Sequence, residues 1–113
     1  MLIHGMSDPF FSAYDTAAYY ERVVRDNGGL ETIAWVRYFE VPGMNHCGGG
    51  PALEDFDPLT ALVEWTERSE PPELMAAKGK SFPGVSRPVC AYPTYPRYRG
   101  TGSQDDASNF ECR

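Results

Sequence analysis

The chain has 113 residues, 42% apolar and 13% aromatic, which is enough for one small core and too apolar for a disordered tail. A net charge of -6 with only scattered basic residues, such as Arg97 and Arg99, argues against nucleic acid or an anionic membrane surface as the main partner. No apolar run approaches bilayer length, and Met1-Leu2-Ile3-His4-Gly5 has neither the basic start nor the long apolar middle of a signal peptide, so no export signal is expected in the chain as written.

In chain order, Met1-Leu2-Ile3 reads as the end of a short buried strand that stops at Gly5. Gly5-Met6-Ser7-Asp8-Pro9 is a tight turn, in which Pro9 restricts Asp8 to an extended conformation just beyond the strand end. Ser12 with Asp15 three residues on resembles a capping box, so a helix begins there, with Ala13, Ala17, Tyr20, Val23 and Val24 at helical spacing. Asn27-Gly28-Gly29 is its stop. Thr32 to Val41 is rich in β-branched and aromatic residues and reads as a second strand. Strand, helix, strand is a βαβ unit, so the two strands should be parallel with a right-handed crossover.

Asp57-Pro58 marks the next helix start, with Leu59, Leu62, Val63 and Thr66 as its inward stripe and Glu64, Glu67 and Arg68 outward. Glu70-Pro71-Pro72 ends it, and Glu73 to Lys80 has room for a short extended piece. From Phe82 onward the chain is rich in Pro, Gly and Tyr and reads as an irregular tail laid over the surface.

The chemistry centres on Pro42-Gly43-Met44-Asn45-His46-Cys47-Gly48-Gly49-Gly50, where an imidazole leaves a strand end between helix-breaking residues. Asp8 follows the first strand and His46 the second, and parallel strands put both at the same sheet edge, where α/β proteins build their sites. Acid, then histidine, is the order in which an α/β-hydrolase delivers two members of a catalytic triad. Against this stands the plainer reading of a loop histidine without a role and a turn-forming carboxylate. Cys90 and Cys112 flank the tail, where a disulfide would contribute roughly 3 kcal/mol by loop closure. That would leave Cys47 unpaired, and three reduced thiols are the other possibility.

The His4-Gly5-Met6-Ser7-Asp8-Pro9 turn, the loop from Val41 to Pro51, the Ala61-Leu62-Val63-Glu64-Trp65 helix and the tail from Arg87-Pro88-Val89-Cys90 to Asn109-Phe110-Glu111-Cys112 together resemble the C-terminal end of the tannase and feruloyl esterase family. The resemblance runs through almost the whole chain. It implies a secreted or periplasmic α/β-hydrolase with a Ser-Asp-His triad and an inserted lid selecting esters of hydroxylated aromatic acids. It makes Asp8 the triad acid, His46 the triad base, and Cys47 one half of a disulfide to a cysteine beside the nucleophile. It also pairs Cys90 with Cys112.

The family's Gly-Cys-Ser-x-Gly-Gly nucleophile turn, its oxyanion-hole loop and its calcium-bearing lid have no counterpart among these residues. Ser7 occupies the acid turn and is not read as the nucleophile. His4, His46 and Cys47 lack the spacing of a metal site, and no cofactor is expected.

The expected fold class is therefore α/β: a C-terminal fragment of an α/β-hydrolase with the last βαβ unit, a final helix and a disulfide-stapled irregular tail. Residues 1–81 would belong to the catalytic domain and 82–113 to its tail. Such a piece should be inactive alone and expose apolar surface at Leu2 and Trp35. Its expected partners are the N-terminal part of the same enzyme, carrying nucleophile and lid, and an aromatic-acid ester. The rival expectation is a non-catalytic, disulfide-stapled binding domain that uses an exposed strand edge.

Overall fold

The structure is a computed structural model that describes residues 1–113. Its first unit is strand β1 (Leu2–Gly5), helix α1 (Ala13–Asp26) and strand β2 (Tyr38–Val41). β1 and β2 are parallel, with Leu2 opposite Tyr38 and Gly5 opposite Val41. Ser12 caps α1 by accepting from the Asp15 amide at 3.3 Å, as the sequence pattern requires.

The stretch before β2 corrects the sequence reading. Gly29–Ala34 is a 3₁₀ helix, and only Tyr38–Val41 of the expected Thr32–Val41 strand is extended. Thr32 is fully buried, and its hydroxyl donates to the carbonyls of Val24 and Asn27, at 3.2 and 3.0 Å. A threonine engaged with the last carbonyls of a helix offers the backbone an alternative to a strand ladder.

Alternation along β1 and β2 sorts side chains into two layers. Leu2 and Tyr38 face α1, where Ala17, Tyr20 and Tyr38 form a small cluster covered by Leu2, Val24, Val36 and Tyr92. Phe39 and Val41 face the other way, into the larger core with Met44, Ala52, Met75, Ala77, Val89 and Ala91. The expected exposure of Leu2 is thus corrected: α1 covers it, and Ile3, one residue on, is the exposed apolar residue of β1. Trp35 is exposed, at 56%.

Helix α2 (Pro58–Arg68) is capped by Asp57, which accepts from the Thr60 amide at 2.9 Å. Its inward face is not the expected one. Trp65 is buried and donates its indole N–H to Ala34 O at 2.9 Å, and Ala61 packs on the larger core. Leu59, Leu62 and Val63 lie on the opposite side and are exposed. At 100° per residue, Ala61 and Trp65 share one face, and positions 59, 62, 63 and 66 share the other.

The short extended piece expected within Glu73–Lys80 forms, and the tail from Phe82 onward is more regular than expected. Strands β3 (Leu74–Lys78) and β4 (Ser86–Cys90) form an antiparallel hairpin that spans position 81 and supplies Met75, Ala77 and Val89 to the larger core. Strands β5 (Pro96–Tyr98) and β6 (Phe110–Cys112) pair antiparallel. A Cys90–Cys112 disulfide ties β6 to β4. A bridge from Phe39 to Ala91 and a bond from the Tyr92 amide to Tyr38 O, at 2.8 Å, join this C-terminal half to β2. No helix is long and apolar enough to cross a membrane.

Candidate active site

Asp8 and His46 leave the carboxyl ends of β1 and β2, and backbone bonds bring their loops together. The amides of Met6 and Ser7 donate to the carbonyls of Val41 and Met44, both at 3.0 Å. Met44 is buried in the larger core and anchors the histidine loop from below. Gly5 makes the approach possible: a Cβ there would run into the backbone carbonyls of Met44 and Asn45. Beyond His46 the chain turns back with the Asn45 amide on Gly49 O at 3.1 Å, and Glu54 accepts from the Gly49 amide.

Within this frame His46 Nδ1 lies 2.7 Å from Asp8 Oδ2. The Asp8 side chain is 2% exposed and that of His46 46%. The other carboxylate oxygen of Asp8 accepts from the amides of Phe10 and Phe11, at 2.8 and 3.2 Å. Desolvation raises the Asp8 pKa, but the His46 hydrogen bond, the two amides and the charge of His46 together outweigh it and lower it from 3.8 to about 2. A depressed carboxylate contributes stability that is complete above its unfolded value near 3.8 and is lost as pH falls toward 2. The Asp8 carboxyl carbon, followed by NMR, should therefore titrate near 2 in the wild type and move up toward 3.8 in His46→Ala. An Asp8 midpoint near 3.8 in the wild type would contradict this geometry.

The imidazole is flanked by the rings of Phe10, edge-on at 5.9 Å, and Phe11, tilted at 5.3 Å. Both phenylalanines are exposed. His46 Nε2 has no hydrogen-bond partner within the chain and sits beside this aromatic surface. Cys47 is exposed and not disulfide-bonded, and Ser7 is exposed in the turn before Asp8.

Sequence reasoning placed Asp8 and His46 but missed three neighbours. Phe10 and Phe11 had a signal in their position directly after Asp8-Pro9. His4 was weighed only as a metal ligand, yet its Nε2 lies 3.3 Å from the same Asp8 Oδ2. Its parity on β1 was the available clue, because it points with Leu2 toward α1.

A carboxylate on the Nδ1 side of an imidazole, each group just past the end of a parallel strand, is the acid and base arrangement used by folds of the α/β-hydrolase type. The chain belongs to the tannase and feruloyl esterase family, whose profile, described as "Tannase and feruloyl esterase", matches residues 1–113. It is 48% identical over 118 residues to a mono(2-hydroxyethyl) terephthalate hydrolase of Piscinibacter sakaiensis, covering 99% of this chain and 19% of that protein. A probable feruloyl esterase of Arthroderma benhamiae is 36% identical over 96% of this chain and 21% of its own length. The crystal structure of feruloyl esterase B from Aspergillus oryzae superimposes with a TM-score of 0.75 at 28% identity, over 98% of this chain and 26% of that one. The chain thus spans about a fifth of the length of these two curated relatives.

Proposed function

We propose that these residues supply the acid and base of a serine carboxylic ester hydrolase acting on esters of hydroxylated aromatic acids. The nucleophilic hydroxyl and the lid come from polypeptide outside the 113 residues. The observation that carries this reading is the 2.7 Å contact between His46 Nδ1 and Asp8, which leaves Nε2 without a partner in the chain. In this mechanism Nε2 takes the serine hydroxyl's proton as the oxygen attacks the ester carbonyl. Asp8 holds the proton on Nδ1 and stabilises the imidazolium. Nε2 then passes its proton to the departing alcohol, leaving an acyl-enzyme, and the same cycle with water releases the acid and restores the serine.

Phe10 and Phe11 beside His46 suit a substrate with an aromatic acid part. The exposed Cys47 is free to bond a cysteine next to the nucleophile, which would limit the distance between the reacting groups. Disulfide chemistry at Cys47 and at Cys90–Cys112 fits a secreted or periplasmic enzyme.

The test is a chimera in which residues 1–113 replace the matching segment of the Piscinibacter sakaiensis hydrolase. The chimera should hydrolyse an activated phenyl ester, and the 113-residue chain alone should not. A folded chimera without turnover would overturn the reading. So would turnover by the chain alone that His46→Ala abolishes.

A further inference from the structure

Asp8 is held by more than His46. Its Oδ1 accepts from the Phe10 and Phe11 amides, and its Oδ2 lies between two histidines, His46 at 2.7 Å and His4 at 3.3 Å. The His4 side chain is largely buried, at 11% exposed, and is fixed from both ends. Its Nδ1 lies 2.8 Å from Thr16 Oγ1 in α1, and its Nε2 lies 3.3 Å from Phe11 O. Phe11 O can only accept, and so can the ionised Asp8, whose carboxylate is depressed to about 2. Nε2 must therefore carry a proton, and in the neutral ring Nδ1 accepts from the Thr16 hydroxyl.

We propose that His4 is a positioning residue for the Asp8–His46 pair: its Nε2–H donates to Phe11 O, bracing the turn whose Phe11 amide holds Asp8 Oδ1, and the same nitrogen lies 3.3 Å from Asp8 Oδ2 beside His46 Nδ1. The role rests on the reading of that pair as acid and base. Three hydrogen bonds then hold the carboxylate, two amides on Oδ1 and His46 on Oδ2, with His4 packed against Oδ2, and it cannot turn without breaking one of them. A carboxylate fixed in this way keeps the His46 proton on Nδ1 and leaves Nε2 free to act as base. Thr16 extends the hold to α1, so the helix between the two strands also orients the acid that follows the first.

The test uses the 113-residue chain labelled with ¹⁵N and ¹³C. In the wild type near pH 8, His4 should carry its proton on Nε2 and His46 on Nδ1. A neutral His4 protonated at Nδ1 would overturn the proposal without any variant. In His4→Phe the Phe11 carbonyl loses its donor and the turn that aims the Phe11 amide at Asp8 Oδ1 loosens, so the Asp8 midpoint should rise and the share of His46 protonated at Nε2 should grow. His4→Gln, which keeps an N–H at the same reach, should restore both. Unchanged Asp8 and His46 signals in a folded His4→Phe would reduce His4 to turn packing. If that variant does not fold, Thr16→Val is read in the same way. None of these signals depends on ester turnover. An inactive chimera with the tautomers in place defeats the esterase reading alone, and an active chimera with the wrong tautomer defeats the role of His4 alone.

Discussion

In the chimera, His46→Ala should lower kcat for an activated phenyl ester by roughly 10²- to 10⁴-fold with little change in KM. The size follows from what the imidazole does there. In the proposed mechanism it carries one proton in each half of the reaction, and no other group beside Phe10 and Phe11 stands ready to do so: His4 has both ring nitrogens engaged. Asp8→Asn should cost a similar factor for a different reason. An amide in place of the carboxylate can donate to Nδ1, which moves the ring proton to Nε2 and removes the base. Together the two substitutions should cost little more than either alone, because the proposed mechanism uses acid and base as one unit. A His46→Ala chimera within a few-fold of the parent rate would leave the pair without a catalytic role, however short its hydrogen bond.

The parts of this arrangement that were legible in the sequence are those set by local chemistry. Ser12 and Asp57 are cap residues whose side chains bond amides three positions on, so they mark α1 and α2 from composition alone. The parallel pairing of β1 and β2 follows from the helix between them, and with it the shared edge of Asp8 and His46. What stayed hidden depends on partners distant in the chain. Thr32 has the composition of a strand residue, yet its hydroxyl is taken by carbonyls of α1 and Asn27. Helix α2 has apolar residues on two faces, and only the reach of Trp65 to Ala34 O shows which one turns inward. Pro88 argues against a strand, but β4 forms through it because β3 pairs along one side and the disulfide fixes its end.

The same hidden half explains how so short a chain holds the site. Beneath the His46 loop, Met44 and Val41 share the larger core with Met75, Ala77 and Val89 of the hairpin, so the expected extended piece at 73–80 and the first part of the stretch read as irregular tail form the floor on which the histidine stands. Gly5 then allows the Asp8 turn to close against that supported loop. A site at the end of two short strands is thus held by packing from a later part of the chain.

Phe39→Ala should test that support with the largest stability effect of any single substitution considered. Phe39 is fully buried in β2, opposite Ile3 of β1 on one side and bridged to Ala91 on the other, and its ring lies in the larger core. Truncating such a ring removes about 3–5 kcal/mol through lost burial and the cavity left behind. A chain of 113 residues has on the order of 6–17 kcal/mol in total, and only 16 residues here are buried, which places it toward the lower end. Phe39→Ala should therefore shift the urea midpoint by more than half of its wild-type value or abolish the sigmoidal transition, followed by tryptophan fluorescence and far-UV circular dichroism. Phe39→Leu keeps most of the apolar volume and should cost about 1–2 kcal/mol, so a graded pair of losses identifies packing as the cause. The tautomer of His46 provides the link to function: where Phe39→Leu remains folded, its Nδ1 proton should persist, because the loop still rests on Met44. A midpoint for Phe39→Ala equal to that of the wild type would mean that the hairpin does not hold β2, and that the Asp8–His46 contact depends on the backbone bonds of the two loops alone.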